Sequence, residues 1–149
     1  MHTGIYQTGF TIIELLTVLI VIGVLSSLAY PSYIESVHAG RRTDAISSLL
    51  RLQSVEEQWR ANHTHFSATL GGDSCGTLAA TGLCWDSSDS LEGHYTMSII
   101  NADNSSYTLK AMPKEGTAQE HDQCGSFFIN QHGPDFSAVG AADAGCWKQ

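Results

Sequence analysis

Basic charge is scarce in this chain. Seven Lys and Arg face fifteen Asp and Glu over 149 residues, a net charge of −8 with neutral histidines. An acidic balance of that size does not draw phosphates in bulk, so charge gives no support to nucleic-acid binding. Metal and nucleotide motifs are missing too. No CxxC pair, HExxH run or EF-hand spacing occurs, and no glycine-rich phosphate loop follows a strand. The seven histidines are spread without ligand geometry. His63 and His65, two apart, read as solvent-facing side chains. A cysteine nucleophile needs an activating base, and all four cysteines have partners to pair with. The expectation is a protein without catalysis, cofactor or metal.

One long apolar run is present. From Phe10 to Tyr30 the chain carries a single group expected to be charged, Glu14. A helix rises about 1.5 Å per residue, so this run can cross a hydrocarbon core of roughly 30 Å. A carboxylate at the lipid edge costs several kcal/mol, by order of magnitude, unless it finds a partner. Glu14 is therefore a functional candidate.

The stretch GFTIIELLTVLIVIGVLSSLAYPSY resembles the N-terminal signature of type IV pilins. The resemblance implies cleavage between Gly9 and Phe10 by prepilin peptidase, and methylation of the new N-terminal Phe10. It implies that Glu14 pairs with the Phe10 amine of a neighbouring subunit during assembly. It also places Gly23 and Pro31 at positions that loosen the helix. Pro31 lacks an amide donor and crowds the preceding turn, so a kink or local break is expected there. Residues 1–9 read as a short leader, with His2 where the family has Lys or Arg. Charge therefore does little to orient it.

Beyond the membrane run, Ile34, Ala45, Leu49, Leu52 and Trp59 recur at helical spacing, with Val37 and Val55 at the edge. This predicts helix over 31–61 with a stripe that carries a sheet. Ile46 and Leu50 point away from that stripe. Arg41, Arg42 and Asp44 are expected at the junction where the helix leaves the membrane. There the arginines are solvated, anchor at the membrane interface, or reach a neighbour's carboxylates. Glu56 and Arg60 are spaced for a surface pair. Residues 62–93 read as a loop-rich connector, where variable recognition resides. From His94 the period becomes two: Tyr95, Met97 and Ile99, then Tyr107, Leu109 and Ala111 across a turn at 101–105. Pro113 ends the second strand. A third strand is expected near 125–131, with Phe127 and Ile129 on one face, followed by a turn at His132–Asp135.

Cys75, Cys84, Cys124 and Cys146 behind an export-type N-terminus read as disulfides in an oxidising compartment. Three pairings exist. Cys75–Cys84 and Cys124–Cys146 are favoured because each closes a turn-rich segment locally. A loop of about twenty residues is worth roughly 3 kcal/mol.

The expected fold is α+β, a long N-terminal helix on an antiparallel sheet of about four strands. The type IV pilin layout resembles it over essentially the whole chain. The domains are then a leader 1–9, a transmembrane and filament-core helix 10–30, and a globular head 31–149. The resemblance implies a subunit anchored in the inner membrane, then assembled with other pilins into an extracellular pilus. Its partners would be prepilin peptidase and the pilus assembly platform. Its uses would be adhesion, twitching motility or DNA uptake, though the charge does not favour a nucleic-acid partner. The alternatives are a minor pilin specialised in ligand or DNA binding, with its site in 63–93 or 124–146, and a type II secretion pseudopilin.

Overall fold

The computed structural model describes residues 9–71, 82–85 and 87–148. It divides into two compact units, Met1–Val37 and His38–Gln149. One helix, α1 (Ile12–Asn62), contributes to both and is unbroken at Gly23 and Pro31. The break expected at Pro31 is therefore absent. The proline's ring and missing donor are accommodated within continuous helix.

In the first unit the apolar side chains have nothing to cover them. Ile12, Leu15, Leu19, Val21, Val24 and Leu28 are all exposed. Among the described residues, α1 is the one helix long and apolar enough to cross a membrane. A helix apolar on every side needs lipid or other helices around it. The expected leader lies outside the described residues, except for Gly9.

In the second unit a four-stranded sheet lies in the order β1 (Tyr95–Ala102), β2 (Tyr107–Pro113), β3 (Phe127–Asn130), β4 (Gly133–Pro134). Neighbouring strands are antiparallel. The alternation anticipated above puts Tyr95, Met97, Tyr107, Leu109, Ala111, Phe127 and Ile129 into the core with Ala45, Leu49 and Leu52 of α1. Tyr95 pairs with Pro113, so the proline closes β2 as expected. The register shifts between Ile99 and Asn101, and Ile100 is turned outward. A bulge of this kind bends an edge strand and interrupts its ladder. The predicted turn at His132–Asp135 is partly strand. Gly133 sits at φ +115°, a backbone that side-chain-bearing residues rarely adopt, and lets β4 fold back on β3. A 3₁₀ turn (Ala118–His121) fills the β2–β3 connection, and a one-turn helix α2 (Ala144–Trp147) follows the last strand.

The described part of the connector is less exposed than its composition suggests. Phe66, Leu83 and Trp85 are buried in the core. Ile46, expected to point away, is partly buried against the same cluster, while Leu50 is exposed.

Candidate functional site

Two regions hold the candidate residues: the start of α1, and the surface of the second unit where the connector and the C-terminal segment meet the sheet.

At the start of α1, Phe10 is 80% exposed. Thr11 caps the helix, its hydroxyl accepting the Glu14 amide at 3.2 Å. Glu14 stands exposed in the first turn. Nothing in the chain approaches the place a Cβ would take on Gly23. Any packing role for that glycine therefore involves another molecule.

The head is held together by buried carboxylates. Asp44, expected at the membrane junction, is buried and draws the turn before β1 onto the helix. It accepts hydrogen bonds from the Ser48 hydroxyl, the Ser90 hydroxyl and the amides of Glu92 and His94. The Ser48 hydroxyl in turn accepts the Leu91 amide at 3.0 Å.

Arg42 is neither solvated nor aimed at a neighbour. Its Nε donates to Asp122 Oδ2 at 2.9 Å and its Nη2 to Oδ1 at 2.5 Å. Asp122 also accepts from Gln119 Nε2 at 2.8 Å and from the Cys124 amide at 3.2 Å. The Tyr95 hydroxyl accepts from Gln119 Nε2, and His38 Nδ1 lies 3.1 Å from Gln119 Oε1. Burial pushes Asp122 upward, but the Arg42 hydrogen bonds, the Cys124 amide and the Arg42 and His38 charges outweigh it. The carboxyl ends below its ordinary range. Burial likewise drives the Tyr95 phenol up.

The predicted Glu56–Arg60 surface pair does not form. Glu56 is fully buried and accepts the Ser67 amide at 3.0 Å. Arg60 instead donates to the His63 carbonyl at 2.9 Å and lies over the Phe66 ring. Burial, opposed by the Ser67 amide and reinforced by the Glu57 charge, raises the Glu56 carboxyl to about 7.

A signal for these groups was present in the sequence. His38, Arg42, Ala45, Leu49, Leu52, Glu56 and Trp59 recur at intervals of three and four, so three ionisable residues occupy the core stripe. A charge on a core stripe must find partners. What the periodicity could not show was which partners, some eighty residues away for His38 and Arg42 and eleven for Glu56.

Clefts open on this surface among the described residues. One, of about 340 Å³, is lined by Arg51, Trp85, Ser87, Asp89 and Leu91. The Arg51 guanidinium sits 5.8 Å above the Trp85 ring, whose Nε1 donates to the Asp89 carbonyl. Asp89 also pairs with Lys114 at 2.6 Å. Another, of about 360 Å³, is lined by Trp59, His65, Phe66, Thr69, Asp103 and Asn104. His63 stacks on Trp59 with ring centres 3.8 Å apart. Among the described residues no three metal-ligating side chains gather.

Cys124 and Cys146 form a disulfide with Cα atoms 5.9 Å apart, as expected. It closes a segment in which Val139 is fully exposed, and Trp147, just beyond the bond, meets Phe127 and Phe136 of that segment edge-on. Cys84 is also disulfide-bonded. Its expected partner, Cys75, lies outside the described residues.

Known proteins bear on these features. Among curated relatives, the type II secretion system core protein G of Pectobacterium carotovorum subsp. carotovorum is 29% identical over 71 residues, 48% of this chain and 46% of that protein. Its counterpart in Escherichia coli strain K12 is 29% identical over 66 residues, 44% and 46% of the two chains. The chain thus spans about half the length of the curated relatives it matches. Residues 5–30 match the family described as prokaryotic N-terminal methylation motif. Residues 31–128 match the family described as type IV minor pilin ComP, DNA uptake sequence receptor. That second match takes in all of α1 beyond Tyr30, the connector and the sheet as far as β3, and by it the chain belongs to the ComP family of type IV minor pilins.

Proposed function

We propose that this chain is a minor pilus subunit, processed between Gly9 and Phe10, methylated at Phe10 and assembled through α1. The observation that carries the reading is the first unit. From Ile12 to Tyr30 its helix is apolar on every side, and the one carboxylate of that run, Glu14, stands in the opening turn. Lipid solvates such a surface before assembly, in the inner membrane, and other pilin helices cover it afterwards. Exchanging lipid for protein gives little hydrophobic gain, so packing and specific polar contacts must set the register. Glu14 supplies that contact by pairing with the Phe10 amine of a neighbour. Gly23 and Pro31 are the points at which the helix yields on extraction. The prepilin peptidase and the assembly platform act on the chain before it reaches the extracellular filament.

Glu14→Ala should leave the head folded and the leader removed while incorporation into sheared filaments drops at least tenfold. Mass spectrometry of those filaments reads cleavage, methylation and abundance together. Normal incorporation of the variant would overturn the role given to Glu14.

A second reading gives the head DNA capture, in keeping with the family description over residues 31–128. With a charge of −8, bulk attraction to phosphate is weak. Capture would then depend on local cations beside a stacking surface, and Arg51 over Trp85 at the connector is such a place.

A further inference from the structure

Three buried carboxyl groups link α1 to the rest of the head, and they are not equally provided for. Asp44 receives four hydrogen-bond donors. Asp122 receives the Arg42 guanidinium together with Gln119 and a backbone amide. Glu56 is 0% exposed, yet it receives one donor, the Ser67 amide, on Oε2. Its Oε1 is buried without a partner. A carboxylate ion carries about four acceptor sites, and burying it with one donor and no cation is costly. A neutral carboxyl in the same place costs far less.

Among the described residues no cation pairs with Glu56. On α1 the adjacent Glu57 has the same sign and raises the carboxyl further. Arg60 is committed to the His63 carbonyl and the Phe66 ring. On the connector stand His63, stacked on Trp59, and His65 at its edge. On β2 the Tyr107 hydroxyl turns to Glu57 Oε1 at 3.3 Å. In the β1–β2 turn the Asp103 carboxylate is saturated by the amides and hydroxyls of Ser105 and Ser106.

The group that Glu56 holds begins the connector. Ser67 leads into Thr69, whose carbonyl accepts the Leu83 amide at 3.0 Å, and Leu70 bridges Leu83. Beside it, the Phe66 amide donates to the Asp103 carbonyl. One helix side chain thus seats a segment on which a strand-like contact of the connector depends.

We propose that Glu56 is a proton-binding anchor: its neutral carboxyl seats residues 66–70 on α1, and loss of the proton releases them. The carboxyl's raised value, about 7, agrees with the geometry. The sign follows from linkage. The seated state holds a proton that the released state gives up above about pH 4.5, so seating is strongest below that pH, weakens as pH rises from there to about 7, and weakens no further above. An external pH change would in this way alter the presentation of the connector. Any effect on DNA capture rests on the second reading above, but the device itself does not.

Hydrogen exchange of the full chain in detergent micelles, from pH 5 to pH 9, tests it without ligand. After correction for intrinsic exchange, the Ser67 and Leu83 amides should lose protection by up to about tenfold per pH unit between pH 5 and neutrality and level off above it. The Leu109 amide in the sheet should not. Glu56→Gln, neutral at every pH, should keep Ser67 protected throughout. Equal pH profiles in the two proteins would overturn the proposal. If the variant does not fold, the Glu56 carboxyl carbon in the native chain decides. A midpoint near 7, where the Ser67 amide stops losing protection, supports the anchor, and a midpoint near 4.5 refutes it.

Discussion

Replacing Arg42 by Met tests whether the head is closed by a buried ion pair or by apolar packing alone. Methionine keeps most of the unbranched stem and removes the guanidinium. The pair is not a surface one: the Arg42 side chain is 10% exposed and that of Asp122 is 0%. A surface pair would be worth about 0–1 kcal/mol. Removing one partner of a buried pair leaves the other charge stranded and costs about 3–5 kcal/mol. Asp122 would keep Gln119 and the Cys124 amide, so the lower half of that range is expected, about 3 kcal/mol. Urea unfolding in micelles, followed by tryptophan fluorescence, reports on this unit, because Trp59, Trp85 and Trp147 all lie in it.

The deficit should also depend on pH. In the native chain Asp122 is held below its unfolded value, so its contribution is present above about pH 4 and disappears as the pH falls through the folded value. Without Arg42 the buried carboxyl rises, and the variant recovers part of its loss as acid neutralises it. The difference between the two proteins should therefore narrow from pH 7 to pH 4. A loss under about 1 kcal/mol at pH 7 would show the pair to behave as an exposed one and refute the reasoning.

Asp44→Ala strands the amides of Glu92 and His94 and the Ser90 hydroxyl, at a cost of about 2–3 kcal/mol. Exchange of those two amides should accelerate while the β2–β3 ladder stays protected. Arg51→Ala should weaken DNA binding in a gel shift by a similar factor for every sequence and lower the salt slope by about one. An unchanged slope would remove Arg51 from the DNA-binding reading.

Much of the architecture was legible because it is local. The apolar run of α1, the alternation of β1 and β2 and the turn residues between them each declare themselves within a few residues of chain. The Cys124–Cys146 bond was readable on similar grounds, closing a short turn-rich segment. The polar ties were not. Arg42 and Asp44 were assigned to a membrane junction by their distance from the apolar run, and Glu56 to a surface pair by its spacing from Arg60. All three are buried.

The sequence alone determined where helix and strand form, since those depend on periods of 3.6 and two residues and on sterics between near neighbours. It also determined which segment is long and apolar enough to cross a membrane. Only the tertiary structure decided what the buried charges do. Asp122 lies eighty residues from Arg42, and Ser90, Glu92 and His94 lie 46 to 50 residues from Asp44. A charge on a core stripe announces that it needs a partner, but chain closure over such distances selects the partner. That selection left Asp44 and Asp122 satisfied and Glu56 short of donors.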